Sequence, residues 1–323
     1  MRRFFYVQNN KGDDFIFLTE RSKSNELKYL EALSIRAQLT ETESKTLNRL
    51  QKGFEGEKRY DKIFDEAGHD KISIFRDIWI KADKSLTQID SLIVSDDVVV
   101  INEIKNYSGQ YTYENNVWHV GNIQISDDPI IQSKRASSKL IKIFRENHTN
   151  VTVDSNVIFP NPYFILTTND EFCNASVIKR DRLKIYMRSL NRLSSGRDSH
   201  EVVQLIESYS VPEPLHRTGT EFSRLKTGRY CVHCNAYELD SYRGFTICRN
   251  CHGRMSNKLH VLTAVRDFQL LFHNGQITTA VIQKILNGEI SYSTIQRNLR
   301  TYCTPVDHGR SRTYVMQDKS PIV

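Results

Sequence analysis

The chain has 323 residues, 39% hydrophobic and 10% aromatic, which is enough to bury cores in two or three domains and excludes a largely disordered tail. Lysine and arginine number 45 against 38 aspartates and glutamates, a net charge of +7 that mildly favours a polyanionic partner. The opening MRRFFYVQNNKGDD loses its apolar run at Val7, and no stretch approaches ~20 apolar residues, so a cytoplasmic protein without a membrane partner is expected.

In chain order, residues 3–18 read as a short hairpin turning at Asn9-Asn10-Lys11-Gly12. Residues 24–51 read as helix, with Leu27, Leu30, Leu33, Ile35 and Leu39 spaced mostly by three and four. A second helix is expected over 53–68, after Gly53, with Phe54, Tyr60, Ile63 and Phe64 toward a core and Glu57 near its amino end. Strand patterns follow at 72–80, 86–95, 97–105 and 117–125. A helix at 130–147 then carries Gln132, Lys134 and Arg135 in its first turns, apolar runs at 155–159 and 163–168 suit central strands, and 199–209 is again helical. VPEPLHRTGTEF, 211–222, has two prolines, a glycine and few aliphatics and reads as a linker. The expected domains are 1–52, 53–210, a linker at 211–226, a cysteine-bearing module at 227–255 and a C-terminal domain at 256–323.

The stretch QIDSLIVSDDVVVINEIKNYSG, 88–109, sets Asp90, Glu103 and Lys105 among aliphatics, where carboxylates are unfavourable unless a cation or phosphate compensates. If Asp96-Asp97 forms a two-residue turn, Ser95 pairs with Val98, Asp90 lies opposite Glu103 and Gln88 opposite Lys105, all on one face. Opposed like charges repel, and a divalent cation such as Mg²⁺ reverses the repulsion. Lys105 beside that metal could orient a water or neutralise developing charge, which suits phosphodiester hydrolysis. On spacing alone an amphipathic hairpin with solvated acids is equally open, and a three-residue turn would separate the two acids.

Asp90 followed by Glu103-Ile104-Lys105 resembles the D...(D/E)-x-K signature of the PD-(D/E)XK nuclease superfamily. Together with Gly53-Phe54-Glu55-Gly56-Glu57, Gln88-Ile89-Asp90 and Asn106-Tyr107-Ser108-Gly109, it is similar to the nuclease-related domain, NERD, over roughly 53–170; Asp90 follows Ile where the superfamily often has Pro. The resemblance implies an α/β fold with a mixed central sheet flanked by helices, Asp90 and Glu103 as ligands of catalytic Mg²⁺ or Mn²⁺, and Lys105 as the catalytic lysine. It also implies supporting catalytic roles for Glu57 and Gln132, nucleic acid, chiefly DNA, as substrate, and by family analogy a helicase or other DNA-processing partner. Tyr107, Tyr111, Tyr113, Trp118 and His119, with Lys134, Arg135, Lys139 and Lys142, offer stacking and phosphate contacts, or else pack and solvate the fold.

Cys231-Val-His-Cys234 and Cys248-Arg-Asn-Cys251 form C-x2-C-x13-C-x2-C, two knuckles that suit a closed structural Zn²⁺ site with a hairpin turning at Arg243-Gly244 between them. His233 and His252 are expected to be bystanders, and Cys173 and Cys303 buried thiols. Beyond them a helix at 259–275, a helix-turn-helix and a closing hairpin resemble a winged helix-turn-helix, with Ser293–Tyr302 as reading helix and His308–Arg312 as wing. Arg297, Arg300, Arg310 and Arg312 would then meet nucleic acid, a protein-docking or structural role being the other reading. A metal-dependent nuclease is the leading expectation, and a non-catalytic DNA-binding or adaptor protein with a degenerate nuclease fold the alternative.

Overall fold

The computed structural model describes residues 19–69, 72–193, 197–215, 219–273, 275–308 and 311–316; the hairpin expected at 3–18 lies outside the described residues. The chain forms two compact units, one of the residues up to Lys23 with Asn48–Glu213, the other of Ser24–Leu47 with the residues from Pro214 onward. This grouping differs from a division at residue 52, because the helix that follows Ser24 packs with the C-terminal segment.

That helix, α1 (Asn25–Arg36), starts where the Ser24 side chain accepts the Leu27 N–H, and it buries Leu27, Leu30 and Leu33. It stops well short of residue 51. The next helix, α2 (Glu41–Ala67), is opened by a reciprocal cap in which Thr40 Oγ1 accepts the Glu43 N–H (3.2 Å) and the Glu43 carboxylate accepts the Thr40 N–H (2.7 Å). It then runs through Gly53 without a break, so the expected start at 53 is replaced by one at the cap. A helical glycine is unfavourable by only about 1 kcal/mol.

In the unit that contains residues 48–213, the elements continue as β1 (Ser73–Ala82), β2 (Ser85–Val94), β3 (Val98–Ile104), β4 (Gly109–Glu114), β5 (Val117–Val120), β6 (Ile123–Gln124), α3 (Pro129–Glu146), β7 (Thr152–Phe159), β8 (Phe164–Thr167), α4 (Glu171–Ser176), β9 (Val177–Lys179), α5 (Arg180–Leu190), α6 (Arg197–Tyr209) and β10 (Ser210–Val211). A mixed six-stranded sheet has the order β10-β1-β2-β3-β7-β9, antiparallel up to β3 and parallel from β3 onward. Tyr60 and Phe64 of α2 and Leu183 and Met187 of α5 pack on one face against Ile74, Ile93, Val100 and Ile158. Leu140, Ile143 and Phe144 of α3 and Val202 and Ile206 of α6 cover Phe75, Ile78, Leu92, Val99 and Ile101 on the other. Phe75 and Ile78 share a face because the strand alternation slips at Asp77, whose backbone is left-handed at φ 56°.

A smaller four-stranded sheet has the order β6-β5-β4-β8, which makes β8 an edge strand and not a central one. Tyr113 and Trp118 join Phe159 and Phe164 in a buried aromatic cluster, with the two phenylalanine rings stacked at 3.8 Å. Of the aromatics that could stack on bases, these two are therefore committed to the core.

In the second unit, β11 (Leu239–Tyr242), β12 (Phe245–Cys248) and β13 (Arg254–Ser256) form a three-stranded sheet that turns at Arg243-Gly244. Then come α7 (Asn257–Leu271), α8 (Thr279–Ile285), α9 (Tyr292–Tyr302) and the hairpin β14 (Cys303–His308) with β15 (Ser311–Met316). Val261, Val265, Ile282, Ile285, Ile295 and Leu299 make their common core.

Arg36 at the end of α1 is buried. Its Nε donates to Asp267 Oδ2 (2.8 Å), its Nη1 donates to the Gly228 carbonyl (3.2 Å), and Tyr230 donates its hydroxyl to the same carboxylate (3.0 Å). Removing one side of such a pair strands a charge in a dry interior. Asp267→Ala is expected to destabilise this unit by about 3–5 kcal/mol, read as an earlier chemical unfolding midpoint, whereas Arg266→Ala at the half-exposed neighbouring position should change it little.

Candidate active site

Strands β2 and β3 pair from Val94↔Val99 to Ser91↔Asn102, the register expected of a turn at Asp96-Asp97, with the Ser95 N–H donating to the Val98 carbonyl (3.1 Å). Beyond that pair they part. β2 stays with β1 through Ile89↔Ile78 and Gln88↔Trp79, while β3 stays with β7 through Ile104↔Ile158 and the Lys105 N–H bonds the Ile158 carbonyl (2.9 Å). Asp90 bridges the opening, its Oδ2 accepting the Ile104 N–H (2.9 Å). Neither the expected pairing of Asp90 with Glu103 nor that of Gln88 with Lys105 forms, since the strands have diverged there; Gln88 Nε2 donates to Asp77 Oδ1 instead (2.7 Å).

Glu103, 3% exposed, has its Oε1 2.9 Å from Lys105 Nζ, and the same ammonium donates to Gln132 Oε1 (2.8 Å) in the first turn of α3. The fold thus gathers Asp90, Glu103, Lys105 and Gln132 from β2, β3, the residue after β3 and α3. Glu57, on α2, accepts from Arg21 Nη1 (3.2 Å), and Arg21 also grips Asp61 through Nε (2.8 Å) and Nη2 (3.2 Å) and lies 3.9 Å from Asp77.

Burial and then the Asp90 charge push the carboxyl groups of Glu57 and Glu103 well above the usual range, against the opposing pull of Arg21 on the first and Lys105 on the second. Asp77 is pushed up to about 6, by burial first and with Asp90 adding to it. The Lys105 ammonium is held above its ordinary value: burial opposes its charge, but Glu103 more than offsets this. The donor set is therefore made of oxygen atoms on carboxyl groups crowded around Asp90, and burial and the Asp90 charge disfavour ionisation of Glu57, Glu103 and Asp77. Such a set suits a hard divalent cation such as Mg²⁺ or Mn²⁺, which would remove the mutual repulsion.

Arg21, Asp77 and Asn102 carry no sequence pattern that points to them. Fully buried Asn102 donates to the Tyr60 hydroxyl (2.8 Å) and accepts from the Tyr186 hydroxyl (2.7 Å), a satisfied network that fixes β3 beside Glu103. Gly56 did carry a signal. A Cβ there would lie 2.4 Å from Asn106 Cβ and 3.3 Å from its Cα, so glycine lets the helix bearing Glu57 press on the segment that follows Lys105. Gly56→Ala should displace one from the other and bring an earlier chemical unfolding midpoint, by about 1–3 kcal/mol, with helical circular dichroism retained.

The cysteines form a second centre. Their four sulfurs lie within 4.8 Å of one another, with Cys231 to Cys251 and Cys234 to Cys248 each at 3.5 Å. A disulfide needs about 2.05 Å. A tetrahedral ion with bonds of about 2.3 Å sets sulfurs about 3.8 Å apart, so this quartet could hold a metal such as zinc. The two knuckles share one backbone design: Asn235 (φ 60°) bonds the Cys231 carbonyl at 2.8 Å, and His252 (φ 58°) bonds the Cys248 carbonyl at 3.0 Å. Cys173 and Cys303 are buried thiols and are not members of this quartet.

A family comparison bears on the first centre. Residues 52–160 match the family model of the nuclease-related domain. No curated protein and no solved structure matches the chain. The matched range includes Glu57, Asp77, Asp90, Glu103, Lys105 and Gln132, while Arg21 reaches Glu57 from outside it. Of the basic residues expected to touch nucleic acid, Lys134 sits over the Phe172 ring (3.8 Å) and Arg135 is exposed, while Lys139 and Lys142 are bonded to Thr87 and Asp83. Arg297 and Arg300 are exposed on α9, Arg312 is exposed on β15, and Arg310 lies outside the described residues. Among the described residues no helix is long and apolar enough to cross a membrane.

Proposed function

We propose that the nuclease-related domain hydrolyses phosphodiester bonds in DNA, with Asp90 and Glu103 holding Mg²⁺ or Mn²⁺. The observation that carries this reading is the parting of β2 from β3, where Asp90 spans the gap beside buried Glu103 and Lys105 Nζ stands 2.9 Å from the Glu103 carboxylate. When bound, the cation supplies Lewis-acid polarisation of the scissile phosphate. Lys105, oriented by Glu103 and Gln132, offers its ammonium to the oxygen on which charge grows in the transition state. Gln132 fixes that ammonium and presents its amide to the substrate. Glu57, whose burial favours the protonated form, can hold a proton at the edge of the site and exchange it with water or leaving group.

The four cysteines are proposed to hold structural Zn²⁺, and α7 to β15 to act as a winged-helix-like module that meets DNA through Arg297, Arg300 and Arg312. In this reading the protein works in the cytoplasm, alongside a helicase or similar DNA-processing partner. The test is direct: purified protein is incubated with linear, nicked and single-stranded DNA, with Mg²⁺, Mn²⁺ or chelator. Cleavage only with the divalent ion is expected. Binding without cleavage under every metal would favour the non-catalytic DNA-binding alternative.

A further inference from the structure

A basic cleft opens beside this site. It has a volume of about 490 Å³ and is lined by Lys58, Arg59 and Lys62 of α2, Pro162 between β7 and β8, and Arg180 at the start of α5. Its one acid, Glu66, is already matched by Lys184 at 3.6 Å, so the positive charge of the lining is uncompensated by it. Arg59 Nη1 donates to Asn106 Oδ1 (3.1 Å), and Asn106 directly follows Lys105. Asn161 Nδ2 bonds the same oxygen (3.1 Å), and Asn106 Nδ2 bonds the Lys52 carbonyl (2.6 Å), so the cleft and the segment carrying the lysine are joined by one hydrogen-bonded link.

We infer that this cleft binds the phosphate backbone of the substrate strand that flanks the bond to be cut, an inference that rests on the nuclease reading above. Lys58 and Lys62 stand one helical turn apart, about 6 Å along the axis, which suits successive phosphates of one strand better than a single anion. Exposed Pro162 gives the cleft an apolar wall against which a sugar can lie. Flanking phosphates held here set the register of the strand with respect to Lys105, so the cleft contributes binding and alignment and takes no part in proton transfer.

The test is equilibrium binding of a labelled single-stranded oligodeoxynucleotide to the full chain, in chelator and across a salt series, followed by cleavage with Mg²⁺. For Lys58→Glu/Lys62→Glu, affinity should fall about tenfold and the slope of log K against log salt should shrink by about 1.4, the amount two lost phosphate contacts would remove. The cleavage defect should fall on KM and not on kcat. Arg180→Ala should give a smaller change in the same direction, and Lys81→Glu/Lys84→Glu, an equal charge change at the β1–β2 turn, should leave affinity, slope and KM as in the wild type. Unchanged binding in the Lys58/Lys62 variant of a protein that still binds and cuts overturns the cleft and leaves the nuclease reading intact. Loss of binding in that variant, from a wild type that binds yet cuts with no metal, supports the cleft and sinks the nuclease reading. A wild type that binds no oligonucleotide overturns the cleft outright.

Discussion

Asp90→Asn, Glu103→Gln and Lys105→Ala are each expected to reduce metal-dependent DNA cleavage by about 10²- to 10⁴-fold, the range spanned by loss of a charged group aimed at a transition state. The three should differ in stability. Asp90 does two jobs, since it brings charge to the site and accepts the Ile104 N–H where the strands part. Asparagine keeps an acceptor oxygen and removes only the charge, so Asp90→Asn should fold like the wild type. Asp90→Ala leaves a partly buried N–H unpaired and should lose a further 1–3 kcal/mol or so of stability. For Glu103, burial and the Asp90 charge disfavour the ionised carboxylate and raise its pKa above the ordinary 4.5. A carboxyl group raised in this way stabilises the fold fully below its unfolded value and loses that contribution as pH rises through the folded one. In chelator, therefore, wild-type stability should fall as pH rises above about 4.5, and Glu103→Gln, which cannot ionise, should flatten that fall. Added Mg²⁺ should raise the wild-type melting temperature and leave that of Glu103→Gln nearly unmoved. Undiminished cleavage in any of the three variants would remove that residue from the proposed chemistry.

The hairpin that carries these residues was legible because its information is local. The Asp96-Asp97 turn fixes the register over the paired residues, and with side chains alternating at a period of two this settles which of them share a face there. What happens past Ser91↔Asn102 is not local: β3 follows its parallel partner β7, more than fifty residues away in sequence, and takes Lys105 with it to Gln132 and away from Gln88. Arg21 was invisible for the same reason, since nothing in its own neighbourhood says that it will meet Glu57 and Asp61 some forty residues on. Asp77 sits inside SIFRDIWIKA, which reads as plain strand, and nothing in that run signals its left-handed backbone. The glycines after Lys52 show the opposite error. Gly53 reads as a helix start and is not one, because the start is written in Thr40 and Glu43, whereas Gly56 of the same motif marks a close approach to Asn106.

The cysteine centre leads to the second large effect. Around it the apolar residues amount to little: buried Cys231, Cys248 and Met255, with Val232, Ala236, Leu239 and Leu259 partly covering them. The strands beside it are four, four and three residues long. A core this small offers little against the conformational entropy of ordering the knuckles, and the zinc proposed for them would add about 10–16 kcal/mol, as in other zinc modules of this kind. Stripping zinc, or replacing Cys248 with serine, is accordingly expected to unfold residues 229–256 outright, seen as loss of amide protection across both knuckles together with release of one zinc ion per chain. Because thiolates and not thiols bind the ion, the chelator concentration needed for release should drop as pH is lowered. Asn235→Ala should act more mildly: it keeps all four sulfurs but forces a non-glycine residue without a local hydrogen-bonding side chain to hold φ near 60°, a strain of about 1–2 kcal/mol. Protein isolated free of zinc with the same protection at the knuckles would show that the quartet folds on packing alone and holds no structural ion.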